Sequence, residues 1–247
     1  MPEFDMTFVW AMLIVLAAAA MAGLAGFGFS IVSVPPMLML YDPSTVLALN
    51  KILTLGTTWV ILIGAWQYIS WGHLKRLLPT AIAGLFVGIV VLKTLDVQAI
   101  KLIVGVMVIA FALLLLSGLV RHIPERPWMA PVTGLISGIS STSIGMSGPP
   151  LVLFFTVIGL SVQVFRATSV MYFLMLDAVG FPALVVQGVI TRSDVVLALW
   201  LAPAAIIGRW AGTRLLPYVS PVQFRRMVLF LLLATGTLAI ANALQTM

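Results

Sequence analysis

Two short stretches decide the fold: Gly23-Leu24-Ala25-Gly26-Phe27-Gly28-Phe29-Ser30, followed by Pro35-Pro36, and Ser143-Ile144-Gly145-Met146-Ser147-Gly148-Pro149-Pro150. Each interrupts a long apolar run with glycine, serine and proline, residues that end helices or expose backbone. Sliding Gly26 onto Gly145 gives an offset of 119 residues (145 − 26), and Ala48-Leu49-Asn50 then falls on Ala167-Thr168-Ser169. The identities are few, but the order of apolar runs around the two breaks also repeats.

Those runs come from a chain that is 62% hydrophobic and 8% charged, with a mean hydropathy of +1.19. A soluble domain carries about 25% charged residues, so water is not the solvent of this surface. A helix needs about 20 apolar residues to cross a bilayer. Cutting the chain at polar and Pro/Gly clusters gives segments at 7–25, 28–41, 44–70, 77–93 and 98–120, then 128–144, 148–160, 162–190, 194–215 and 221–244. The second segment of each set is short. The expected fold is therefore an all-α polytopic membrane protein of two repeats, residues 1–120 and 121–247, forming one membrane domain.

Charge sets the expected sidedness, because Lys and Arg accumulate on cytoplasmic loops. If each break joins a V-shaped pair that returns to its starting side, one face holds Lys75, Arg76, Arg121, Arg126, Arg166, Arg214, Arg225 and Arg226. The other keeps Lys93, Lys101 and Arg192. If each pair crosses as one broken helix, the bias disappears. The V-shaped arrangement gives each half an odd number of crossings, so the repeats are inverted, and it places both termini in the periplasm. Glu3 and Asp5 precede the first apolar run where a secretory signal would be basic, so that run is expected to stay in the mature protein.

Inventory narrows the chemistry. There is no cysteine, and His73 and His122 are the two histidines, which excludes thiolate chemistry and the usual zinc sites. No cofactor is implied. The net charge of +6 is scattered between apolar runs, a topology signal and not a nucleic-acid surface. Trp10, Trp66, Trp71 and Trp128 lie near segment ends, as interface anchors do.

Irregular backbone at membrane depth is tolerated where it is buried in protein or lines a wet cavity. Helix N-termini there offer free N–H groups to an anion. Gly26, Gly28 and Ser30 with Gly145, Ser147 and Gly148 are thus candidate anion ligands; the competing reading is that the glycines only permit close helix packing. Lys51, eight residues beyond Pro43 and so roughly 12 Å along its helix, is either an anion ligand or half of an ion pair with Asp177. Asn50 and Ser169 would complete the hydrogen bonding. Arg166 sits near Ser169 and reads equally as a site residue or as a side chain reaching the interface; Arg209, five residues before Arg214, reads as interfacial. Asp177 is the carboxylate placed to carry a proton. The Gly145-Met146-Ser147-Gly148 stretch also fits an intramembrane serine hydrolase, but both histidines are expected in loops, away from that serine.

These landmarks resemble the TauE/SafE family of bacterial permeases, also called the sulfite exporter or toluene sulfonate uptake permease family. The likeness rests on the break ending in Val34-Pro35, on Leu49-Asn50-Lys51 after Ala48, and on Gly145 to Pro150 with Arg166-Ala167-Thr168-Ser169. The first break, Gly26-Phe27-Gly28-Phe29-Ser30, departs from the longer glycine run of many members. The resemblance implies a secondary transporter of sulfite or sulfonates in the bacterial inner membrane, commonly exporting. The residues alone reach a transporter with a midplane anion site, less specific than the family: a coupling ion or proton is unassigned, and a passive anion channel or a membrane scaffold uses the same inventory.

Overall fold

The computed structural model describes residues 5–117 and 123–215. The tenth expected segment, 221–244, and His122 lie outside them. Among the described residues the secondary structure is helical: α1 Met6–Ala25, α2 Phe29–Met37, α3 Pro43–Thr57, α4 Trp59–Leu62, a 3-10 turn Trp66–Tyr68, α5 Trp71–Thr94, α6 Val97–Ser117, α7 Met129–Ser143, α8 Gly148–Val157, α9 Val162–Val186 and α10 Arg192–Leu215. Five stretches are long and apolar enough to cross a membrane: α1, α3 continued through α4, α5, α9 and α10. This is a multi-pass membrane protein.

The helices start and stop where local chemistry directs. Asp5 caps α1 by accepting from the Phe8 amide at 3.0 Å, a contact that holds its carboxyl below the usual carboxylate range. Pro43 opens α3 at the first-turn position that lacks a helical partner for its missing N–H. α1 ends at Gly26, which adopts φ 77°, the left-handed cap that glycine takes without steric cost.

Two expected boundaries change. The run 44–70 is not one regular helix: it is interrupted at Thr58, where α3 ends and the four-residue α4 begins, and closes in the 3-10 turn. Thr57 bonds back to the Leu53 carbonyl at 2.6 Å, a competition that loosens and bends helices. The polar stretch 71–76 is not a separator, because α5 already begins at Trp71. His73 therefore lies in the first turn of α5, and not in a loop.

Packing follows two tight pairings of helices that run parallel, α1 against α10 and α5 against α7. In each, glycines let backbones touch. A Cβ on Gly208 or Gly212 would strike the carbonyls of Leu16 and Ala20, and one on Gly84 or Gly88 would strike those of Leu135 and Ile139. α3 packs on α9 between these pairs, and the short helices α2 and α8 meet each other and α6. Thr142 strengthens the α5–α7 pair by donating to the Leu85 carbonyl at 2.7 Å.

Candidate functional site

The two breaks come together. Gly26, Phe27, Gly28, Phe29 and Ser30 face Gly145, Ser147 and Gly148 across a cavity of about 40 Å³ that also touches Asn50, Lys51, Thr54, Thr58, Asp177 and Arg209. At ~10–15 Å³ per water-sized probe, this is room for roughly three water-sized groups, the scale of a small oxyanion's head. The N-termini of α2 and α8 both open on it, and neither has a side-chain cap. Their orphan N–H groups and positive partial charge are therefore directed at its contents. Pro149 and Pro150 have no N–H to give, so α8 offers fewer donors than α2.

Backbone conformation makes the two breaks alike. Gly26 and Gly145 have φ of 77° and 74°, and Gly28 has φ 97°. A Cβ on Gly26 would collide with the backbone and side chain of Arg166, whereas one on Gly28 would meet nothing within 4 Å. Gly26 thus serves packing and turning together, and Gly28 serves turning alone. Ser137 holds the second break in place by donating to the Ser147 carbonyl at 2.7 Å.

Three charged side chains line the cavity, and all are buried: Lys51 is 4% exposed, Asp177 5% and Arg209 3%. Lys51 Nζ lies 2.5 Å from Asp177 Oδ1 and also donates to Ser141. Of the two readings left open for Lys51, the ion pair is the one observed, so its charge is compensated. Removing either partner of such a pair strands a charge in low dielectric.

Arg209 is the residue that the sequence reading misplaced. It does not reach the interface: its Nη1 donates to Thr58 Oγ1 at 3.1 Å, and its guanidinium lies 5.5 Å from the Phe29 ring centroid. Its Nε is buried without a partner, and among the described residues no carboxylate lies within ion-pair distance of it. The physical reason is close packing of α10 on α1: Gly23 meets the Arg209 backbone so tightly that a Cβ would not fit, which turns the guanidinium inward. A glycine stripe at 208 and 212 flanking this arginine was the available signal.

The remaining expected site residues are distributed differently. Asn50 reaches the cavity, but its amide accepts from Ser33 and donates to the Val46 carbonyl, both at 3.0 Å. Ser169 is fully buried with an unpartnered hydroxyl and does not line the cavity. Arg166 does not line the cavity. It donates to the Gly23 carbonyl at 2.6 Å and to Thr213 Oγ1 at 3.2 Å, clasping the C-terminal end of α1, where a cation is favourable.

Among the described residues no hydrolytic arrangement surrounds Ser147. His73 is engaged by Ser70 Oγ at 2.7 Å and by Glu125 at 3.4 Å, outside the cavity lining.

Apolar spans enclosing a small cationic cavity between two interrupted helices define a class, the polytopic membrane transporters. The chain belongs to the sulfite exporter TauE/SafE family, whose model matches residues 11–238. It is a transporter and not an enzyme. A curated relative, the probable sulfite/organosulfonate exporter TauE of Cupriavidus necator, is 26% identical over 218 residues, which cover 85% of this chain and 84% of that protein. No solved structure matches it significantly.

Proposed function

We propose that the chain is a secondary transporter exporting sulfite or a related sulfur-containing anion across the bacterial inner membrane by alternating access. The observation that carries this reading is the cavity itself: two uncapped helix N-termini, free serine hydroxyls and the unpaired guanidinium of Arg209 converge on a volume of about 40 Å³. Preorganised N–H donors beside a cation recognise an oxyanion without rearrangement. The substrate class follows from the family and from the printed function of the C. necator relative. Gly26, Gly28, Ser30, Gly145, Ser147 and Gly148 supply the donors, Arg209 supplies the charge, and Lys51, Asn50 and Asp177 frame them.

The two halves, residues 1–120 and 121–247, act as inverted repeats that rock about the cavity. Several correspondences support this. α2 and α8 begin 119 residues apart (148 − 29), as do α3 and α9 (162 − 43). The α1–α10 contact maps onto the α7–α5 contact: Leu16 and Ala20 correspond to Leu135 and Ile139 at the same offset, and each pair receives two glycines four residues apart. Each break returns the chain to its starting side. Ile123, ahead of α7, bonds to the Val157 carbonyl at the end of α8 at 3.0 Å. Both termini then face the periplasm.

Counterflow tests the reading. Proteoliposomes preloaded with unlabelled sulfite should transiently concentrate labelled sulfite and saturate with concentration. A linear, non-saturating leak with no overshoot would favour a channel and refute alternating access.

A further inference from the structure

The cavity contains two cations and one carboxylate. Lys51 enters from α3, Arg209 from α10 and Asp177 from α9. With Asp177 ionised the three sum to one positive charge; with Asp177 protonated they sum to two. The other groups facing Asp177 leave that sum unchanged. α7 contributes the neutral hydroxyl of Ser141, bonded to Lys51, and α9 contributes the phenol of Tyr172. From α5, Leu85 packs beside Gly180, close to the Lys51 ammonium. Arg166 points to α1 and α10, away from the lining.

A buried site of low dielectric strongly disfavours uncompensated charge. A singly charged anion balances the cavity with the Lys51–Asp177 pair intact. A doubly charged anion balances it only when one further positive charge is supplied, and Asp177 is the carboxylate in the lining that accepts a proton.

We propose that Asp177 couples transport to the proton: it stays ionised against Lys51 when the cavity holds a monoanion, and takes up one proton when the cavity holds a dianion. The inference rests on the anion-carrier reading above. The proton comes from water on the loading side, bonds to a carboxylate oxygen of Asp177, and returns to water on the far side as the anion leaves. Lys51 keeps its protons throughout, and loses only its partner's charge, which frees the ammonium to face the anion. Each cycle then moves one net negative charge with either class of substrate.

The test uses the full-length protein in proteoliposomes with an internal pH dye and a clamped potential. Sulfite at alkaline pH serves as the dianion and methanesulfonate as the monoanion. The wild type should move one proton with each sulfite and none with methanesulfonate. Asp177→Asn, which fixes the neutral form, should carry sulfite with the proton count reduced from one to zero. A proton still accompanying sulfite in that variant, or an assembled variant that carries no sulfite, overturns the proposal, as does proton movement with methanesulfonate in the wild type. Should Asp177→Asn fail to assemble, the double change Lys51→Met with Asp177→Leu leaves the charge of Arg209 alone. Its ratio of sulfite to methanesulfonate flux should fall about tenfold or more, and an unchanged ratio overturns the coupling. Absence of any anion flux in the wild type would instead overturn the carrier reading itself.

Discussion

Arg209 and Arg166 both touch the C-terminal end of α1, and their fates show what a single residue's position in sequence conveys. Distance along a helix was legible: Arg166 lies near the start of α9 and Arg209 in the second half of α10. Rotation about the helix axis was not. α9 and α10 are apolar around most of their circumference, so no polar face marks which way a side chain points. The contact of Gly23 with Arg209 and of Gly26 with Arg166 decides it. Lys51 and Asp177 were legible as a possible pair because both are buried ionisable groups that require partners. Two glycine substitutions separate conformation from packing at this scale. Gly26→Ala combines a left-handed backbone with a steric collision and should cost about 2–4 kcal/mol, lowering the melting temperature in detergent. Gly28→Ala meets open space and should cost about 1 kcal/mol, leaving assembly intact while weakening anion binding. Equal melting of the two variants would remove the distinction.

Among elements, the short second helix of each half was readable from segment length, and the break positions from glycine and proline. The interruption at Thr58 was hidden, because threonine hydroxyls back-bond within apolar runs without altering hydropathy. The spacing Gly84 to Gly88, Gly134 to Gly138 and Gly208 to Gly212 marks close-packing faces in the sequence, but which helix fills each face is a tertiary fact. The tight pairs α5–α7 and α1–α10 should be equally intolerant of bulk. Gly138→Leu and Gly212→Leu place side chains against the Ala81 and Ala20 carbonyls. Each should destabilise by on the order of 1–3 kcal/mol or more, seen as loss of monodisperse protein in size-exclusion chromatography. Tolerance at one pair only would argue against equivalent roles for the two.

For the whole molecule, charge bias together with the proposed V-shaped pairs predicts one orientation. Arg76 and His73 meet Glu125 at one end, and Lys93 meets Gln187 at the other. Because the chain has no cysteine, single-cysteine reporters test the orientation cleanly. On intact cells a membrane-impermeant maleimide should label Ser193→Cys and leave Arg126→Cys unlabelled until the membrane is opened. The reverse pattern would invert the topology and the direction assigned to transport. The total charge, by contrast, gave no indication that one lysine is neutralised and one arginine is not, because that balance depends on three helices meeting.

The account turns on an unpaired guanidinium holding an anion where two interrupted helices converge. Equilibrium titration of sulfite into purified protein, wild type against Arg209→Gln, tests it most directly. Loss of a charge-assisted bond of about 1.5–3 kcal/mol should weaken binding by roughly 10- to 100-fold in a variant that still elutes as a folded species. Unchanged affinity in that folded variant would contradict the proposed site.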